Sequence, residues 1–374
     1  MRHRVRRAVT LSLALGLALA ACGSGAGSAH RPAPPGRWVR FRHLAGVVDI
    51  AGPRGDGSFA VAAAGRLFAW SRAGALKPFA RGPGGYVTAT GPEPYITIAG
   101  NDRVAGTGCS FRAGTIFALQ PRGRPGIIAI GPGGRAGRFA SLPGTLTPTG
   151  ITFDTTGHFG HALLVTARGR AATAVLAIDC TGRTRTITAH APAMEGGIAV
   201  APASFGRYGG DLVAPGETSG SIFAVAPDGA VVTLAASGLP RGGDIGVEST
   251  GFVPPGFGAR DAAYLADRYS RGNRHPGTNN ILRLPGAELV KAGVRAGDLL
   301  AATEASARTI VVHCGRSCNV RYIAIGPDIT HAEGAHRIHR LRPVASEMRP
   351  RGWAAASRAT SNLAFMRGHA RSAG

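Results

Sequence analysis

The sequence predicts an all-β chain, a six-bladed β-propeller of four-stranded antiparallel blades. Three observations carry the prediction. Residues 195–236 hold four short apolar runs, at 198–201, 212–214, 221–226 and 231–235, each closed by Gly, Pro, Asp or Ser. Short β-branched and aromatic runs between turn clusters read as strands. The turn Pro227-Asp228-Gly229 has a mechanism: Pro presets φ, Asp hydrogen-bonds the local backbone and Gly accepts positive φ. Four strands on about 45 residues is the size of one propeller blade. The second observation is recurrence. The closing hairpin reappears as 65–70 into 76–80, 125–130 into 138–142 and 174–179 into 184–188, and the runs 280–284 and 321–325 continue it. First strands are expected near Val47, Tyr95, Gly150, Gly197, Ile245 and Leu299, roughly 47–55 residues apart. The third is composition: 57 glycines and 25 prolines in 374 residues suit a fold of many turns, and long amphipathic helical patterns are nearly absent.

In chain order, Arg2, Arg4, Arg6 and Arg7 precede an apolar run over 8–19. At about 12 residues that run is too short to span a bilayer. A basic stretch followed by such a run is a secretory signal, here 1–21. It ends Leu19-Ala20-Ala21-Cys22, which resembles the bacterial lipobox; the resemblance implies a diacylglyceryl group on the Cys22 thiol. Residues 22–36 read as a flexible Gly/Ser/Ala/Pro tether, 37–343 as the propeller and 344–374 as a disordered basic tail. The chain is therefore expected to be exported and held on the outer face of the cell membrane by buried acyl methylenes. The strand that closes the ring is left open between 37–44, as outer strand of the last blade, and 334–341.

The formal charge is +23, with 43 Lys and Arg against 20 Asp and Glu, and Lys77 and Lys291 are the only lysines. Solvated arginine on loops accounts for much of this. The sharper reading is attraction to an anionic surface, phospholipid or a wall polymer. Export argues against nucleic acid as a partner.

In a propeller, the loop leading into each first strand and the loop between strands two and three open on one face. Glu93, Glu195, Asp244 and Asp298 stand before expected first strands, Glu217 and Asp267 in second-to-third loops, and Glu248 and Glu304 inside expected first strands. Carboxylates around a narrow axis must hold a cation, share protons or stay open to water. Oxygen ligands suit Ca²⁺. Glu195 and Asp244 are thus candidate metal ligands, and Asp298 or Glu304 a candidate general base. Glu93, Glu217, Asp267, Arg168 and Arg268 are candidate ligand-binding residues, since acids inside and guanidiniums outside suit a small polar or anionic ligand. Arg122, Arg124, Arg170 and Arg316 are expected on the same face.

An exported chain with four cysteines beyond Cys22 favours two disulfides. Cys314 and Cys318 flank a tight loop, expected between strands two and three of the last blade. Cys109 and Cys180 fall in loops on the face opposite the presumed site, so Cys109–Cys180 is the second pair. His331, His336 and His339 read as surface histidines at the last blade's edge, and His158 and His161 as loop residues. No Gly-x-Ser-x-Gly nucleophile elbow is present.

The stretch Ala203-Ser-Phe-Gly-Arg-Tyr-Gly-Gly-Asp-Leu-Val213, followed by Gly220-Ser-Ile-Phe-Ala-Val-Ala-Pro-Asp-Gly229, resembles the six-bladed propellers that include NHL-repeat proteins, SMP-30 (gluconolactonase)-like lactonases and virginiamycin B lyase-like proteins. The likeness spans roughly residues 47 to 341. It implies an axial divalent cation held by a Glu, an Asn and an Asp; Glu195 and Asp244 resemble two of these, and no Asn matches. Two functions follow. One is a surface lipoprotein that binds a small polar ligand, wall fragment or protein partner. The other is a Ca²⁺-dependent lactonase-like hydrolase or lyase. A quinone-dependent sugar dehydrogenase would need His and Arg converging at the axis, which the spacing does not supply.

Overall fold

The computed structural model describes residues 35–71, 73–80 and 93–339. The expected signal, Cys22, all but the end of the tether and the basic tail lie outside the described residues.

Six sheets form the ring. The first four blades each take consecutive strands, ordered from the axis outward. The first is Val47–Ala51, Phe59–Ala63, Arg66–Trp70 and Leu76–Ala80; the second is Ile96–Ile98, Ile116–Gln120, Gly126–Ile130 and Ala136–Ser141. The third is Thr147–Phe153, Leu163–Arg168, Thr173–Ile178 and Thr184–Ala191; the fourth is Ala199–Val200, Leu212–Gly216, Ser221–Val225 and Val231–Ala236. Burial follows position. Phe59–Ala63 is buried at every residue because blades flank it on both sides, whereas Leu76–Ala80 at the rim buries only its last residue. A strand covered on both faces reads as a continuous apolar run. Six buried clusters fill the six gaps between neighbouring blades. In the gap between the sixth and first blades, Trp70 meets Tyr264 edge-on at 5.1 Å and Phe59 at 5.7 Å.

The last two blades depart from the expected order. Val247–Phe252 is the inner strand of the fifth blade, but it does not turn back on itself. Pro254 and Pro255, which cannot donate to a ladder, lead the chain across to the sixth blade. There Ala262–Asp267 and Asn280–Pro285 form its second and third strands. A short helix, Gly286–Lys291, brings the chain back, and Leu299–Thr303, Thr309–Cys314 and Cys318–Ile325 complete the fifth blade. Leu299 therefore begins a second strand, not a first. Ala332–His339, expected among outer strands, is the inner strand of the sixth blade. Val39–His43 pairs with Asn280–Pro285 as its outer strand, so the ring is closed by one strand from each end of the described chain. Gly36–Arg37 adds a parallel fifth strand to the fifth blade.

Inner strands approach so closely that glycine is required at the axis. A Cβ on Gly197 would lie 2.5 Å from the Gly334 carbonyl oxygen. One on Gly334 (φ 72°) would meet the Asp49 carboxylate. Asp49 accepts from the backbone of Ile50 (2.7 Å), Ile96 (2.8 Å) and Ala335 (3.3 Å), tying the inner strands of the first, second and sixth blades together. Both expected disulfides are present. Cys109–Cys180 (Cα–Cα 6.1 Å) joins the second blade to the third, and Cys314–Cys318 (4.1 Å) closes a hairpin neck. That hairpin joins strands three and four of the fifth blade, which puts Arg316 at the end of the sheet away from the second-to-third loops. Among the described residues no helix is long and apolar enough to cross a membrane.

Candidate functional site

One end of the axis gathers acids from four blades. Glu93 and Tyr95 lead into the inner strand of the second blade, and Glu195 into that of the fourth. Glu217 follows the second strand of the fourth blade and Glu304 that of the fifth. Glu248 lies within the inner strand of the fifth blade and Glu333 within that of the sixth, with His331 just before it and Arg268 in the second-to-third loop. Backbone bonds lock these loops together: Gly197 N–H donates to Glu248 O (2.8 Å), Glu304 N–H to Gly246 O (2.7 Å) and Ala332 N–H to Glu304 O (2.8 Å).

The hydrogen bonds form a connected network. The Tyr95 hydroxyl lies 2.6 Å from Glu248 Oε1 and 2.5 Å from Glu333 Oε2. A phenol has one proton to donate, so one of these carboxyls must supply the other. Glu333 is the anion. His331 and Arg268 hold its pKa low against the rise that burial causes, and Arg268 donates to its Oε1 at 3.1 Å. Glu248 carries the proton, because burial and then the neighbouring acids push its pKa well above the usual range. The sequence of donors therefore runs from the Glu248 carboxyl to the Tyr95 oxygen, and from the Tyr95 O–H to Glu333.

His331 Nε2 lies 2.7 Å from Glu304 Oε1 and 3.4 Å from Glu333 Oε1. Burial lowers its pKa, but those two carboxylates outweigh burial and bring it to about 10. Glu217 rises to about 9, through burial and then repulsion from Glu304 and Glu195. Glu93 rises to about 7 through burial and Glu333, although it is ion-paired with Arg268.

Carboxylate oxygens of Glu217, Glu248 and Glu304 all lie within 4.8 Å of one another, and those of Glu304 and Glu333 with His331 nitrogen form a second such group. Glu217 and Glu304 are more than nine-tenths buried, and no N–H or hydroxyl reaches Glu217 Oε1 or Glu304 Oε2; without a cation their contact is a proton shared among Glu217, Glu304 and Glu195. Separations of no more than 4.8 Å do not exceed the diameter of a coordination shell with ligands at about 2.3–2.6 Å, the range for Ca²⁺.

The expected site residues separate into groups. Glu93, Glu217, Glu304 and Arg268 join the network, and Glu195 reaches its edge beside Glu217. Arg168, exposed, pairs with Glu195 at 3.5 Å. Asp244 is exposed at φ 63°, near enough to Glu304 to add repulsion but outside the three-carboxylate group. Asp267 is spent on the loop, accepting from His331 N–H (2.9 Å) and Thr278. Asp298 is elsewhere. It precedes a second strand, at the opposite end of Leu299–Thr303 from Glu304, and accepts from Arg295 N–H (2.8 Å) and His313 Nδ1 (2.7 Å). His331 and His336 are buried on or beside an inner strand, not exposed at an edge. The convergence of His and Arg at the axis, which spacing did not supply, is present in His331 and Arg268, but both are held by glutamates. Tyr95, His331 and Glu333 were the functional side chains missed. A signal existed for Glu333: Glu195-Gly196 and Glu333-Gly334 each set an acid immediately before an axial glycine.

No protein-family model matches the chain, and no curated protein matches it. Solved structures do. A catalytically inactive virginiamycin B lyase from Staphylococcus aureus with quinupristin shares 18% identity over 70% of this chain and 78% of that one, with a TM-score of 0.38. A putative gluconolactonase shares 14% over 67% and 92%, with a TM-score of 0.33. The nidogen/laminin complex contributes a chain at 14% over 75% and 98%, with a TM-score of 0.38. These likenesses concern the fold, and the functional argument rests on the side chains.

Proposed function

We propose that Glu217, Glu248 and Glu304 hold a divalent cation at the axis, and that the chain is a cation-dependent hydrolase or lyase for a small polar substrate, exported and anchored through Cys22. The observation that carries this reading is the convergence of three buried carboxylates, two of them with an oxygen that no N–H or hydroxyl reaches. An all-oxygen set favours Ca²⁺ over softer metals. A cation there would polarise a substrate carbonyl or activate water. The chain's own contribution is to orient and to handle protons. Tyr95 fixes Glu248, while His331, protonated at neutral pH, holds Glu304 and Glu333 and stands ready as a proton donor within the same network. The alternative of binding an anionic ligand without chemistry is less well supported, because Arg168 and Arg268 are already paired with Glu195, Glu93 and Glu333.

The experiment is a thermal melt of purified protein with EDTA, then with millimolar Ca²⁺, Mg²⁺ or Mn²⁺, followed by a lactone and ester panel under the same conditions. A Tm rise with Ca²⁺ that Glu304→Gln abolishes supports the site. Melting curves that no divalent cation moves would remove it.

A further inference from the structure

The rim of the fifth and sixth blades differs from the rest of the ring. Seven large apolar side chains are exposed among the described residues. Three of them, Val39, Phe41 and Tyr322, lie on the edge strands of these two blades, and Val290 lies on the short helix that packs against Gly36; Tyr269 and Ile329 lie in loops at the axial-site end. The outer strand Val39–His43 reads Val-Arg-Phe-Arg-His, and neither it nor the edge strands Gly36–Arg37 and Cys318–Ile325 carry an acid. Arg37, Arg40, Arg308 and Arg321 are exposed. Partial burial raises the Tyr322 hydroxyl pKa, and Arg308 and Arg37 stand close enough to pull it back. The chain passes from the edge of the fifth blade to that of the sixth through one residue, Trp38, which is buried and donates from Nε1 to Thr309 Oγ1 at 2.8 Å. The two edges are therefore one continuous strip.

Charge on an edge strand guards against pairing with other sheets. That accounts for the arginines but not for the exposed rings and valines between them. Guanidiniums interleaved with aromatic and aliphatic groups fit an anionic bilayer surface, where phosphates meet the cations and rings settle at headgroup depth. The described chain also begins on this strip. Pro35 lies 13 residues after Cys22, a separation of at most about 45 Å when fully extended.

We propose that this strip, centred on Arg37, Arg40, Arg308 and Tyr322, docks on anionic phospholipid and holds the propeller edge-on to the membrane. The inference does not depend on the axial cation.

The test uses the full chain with Cys22→Ala, which bears no acyl group, sedimented with vesicles of phosphatidylcholine alone or containing about 30% phosphatidylglycerol in about 0.1 M salt. Binding at least about tenfold tighter to the anionic vesicles is expected, and Arg37→Gln, Arg40→Gln and Arg308→Gln together lose about fivefold per arginine. The same three positions changed to Lys retain binding, and Tyr322→Ser weakens it. A control set at the rim of other blades, Arg135→Gln and Arg183→Gln in the turns before outer strands and Arg185→Gln within one, leaves binding unchanged. The proposal is overturned by an equal loss in the control set, by no preference for anionic vesicles, or by soluble polyphosphate displacing the protein completely at matched charge, which would point to a wall polymer.

Discussion

Glu248 and Glu333 occupy equivalent places on neighbouring inner strands and touch the same phenol, yet one is neutral and the other anionic. Their variants should differ accordingly. Glu248→Gln replaces a protonated carboxyl by its near-isostere, so unfolding in urea without cation should change by less than about 1 kcal/mol, while Ca²⁺ affinity falls at least tenfold. Glu333→Gln removes the buried anion that faces both Arg268 and His331 and leaves them only Glu93 and Glu304; a loss of about 3 kcal/mol is expected in the same experiment. The pH response follows from three groups. Glu217 is raised from 4.5 to about 9, Glu93 from 4.5 to about 7 and His331 from 6.5 to about 10. Each folded pKa lies above its unfolded value, so the folded state binds more protons and these groups' stability is lost as pH rises. In EDTA the Tm should fall between pH 5 and pH 9. Ca²⁺ should restore it most at the alkaline end, because binding displaces protons from Glu217 and Glu248; apparent affinity should rise by up to about tenfold per pH unit per proton released. A calcium response equal at pH 5 and pH 9 would contradict that assignment.

At the scale of strands and loops, the hairpins were legible because each middle strand is apolar at nearly every position and each turn has Gly, Pro or Asp where positive φ or a local cap is needed. The exchange between the last two blades was not. Val247–Phe252 and Leu299–Thr303 are both short, buried and preceded within three residues by an acid, and the interval between them matches the blade repeat. Nothing in that interval says that they are hydrogen-bonded to each other. The same ambiguity placed Asp298 at the axis and His331 at an edge. The cysteine pairs were readable, since loop ends shared by neighbouring blades are fixed by strand order alone. They should differ in worth. Cys109–Cys180 spans 71 residues and Cys314–Cys318 only 4. Chain entropy gives about 4 kcal/mol for the first and about 2 kcal/mol for the second. Paired Cys→Ser variants in chemical denaturation should preserve that order. Gly197→Ala, forced against the Gly334 carbonyl, should cost about 2–3 kcal/mol by the same measurement.

For the whole molecule, ring closure depends on Val39–His43 and Ala332–His339, which flank the same two strands of the sixth blade from the two ends of the described chain. Deleting residues 35–43 strips the sixth blade of its outer strand and exposes the edge of Asn280–Pro285. The deletion should lower Tm by more than either disulfide loss and increase aggregation, read by light scattering during the melt.

The interlaced fifth and sixth blades also set a timetable for synthesis. Blades one to four can each condense from contiguous chain as it emerges. The last two share their strands alternately and need residues 39–43 held in reserve until residues 332–339 arrive, so a copy stopped after residue 252 and before residue 318 carries two incomplete sheets instead of one. Gain or loss of a whole sector by gene duplication is thereby confined to the first four, while the interlaced pair can be inherited only as a unit.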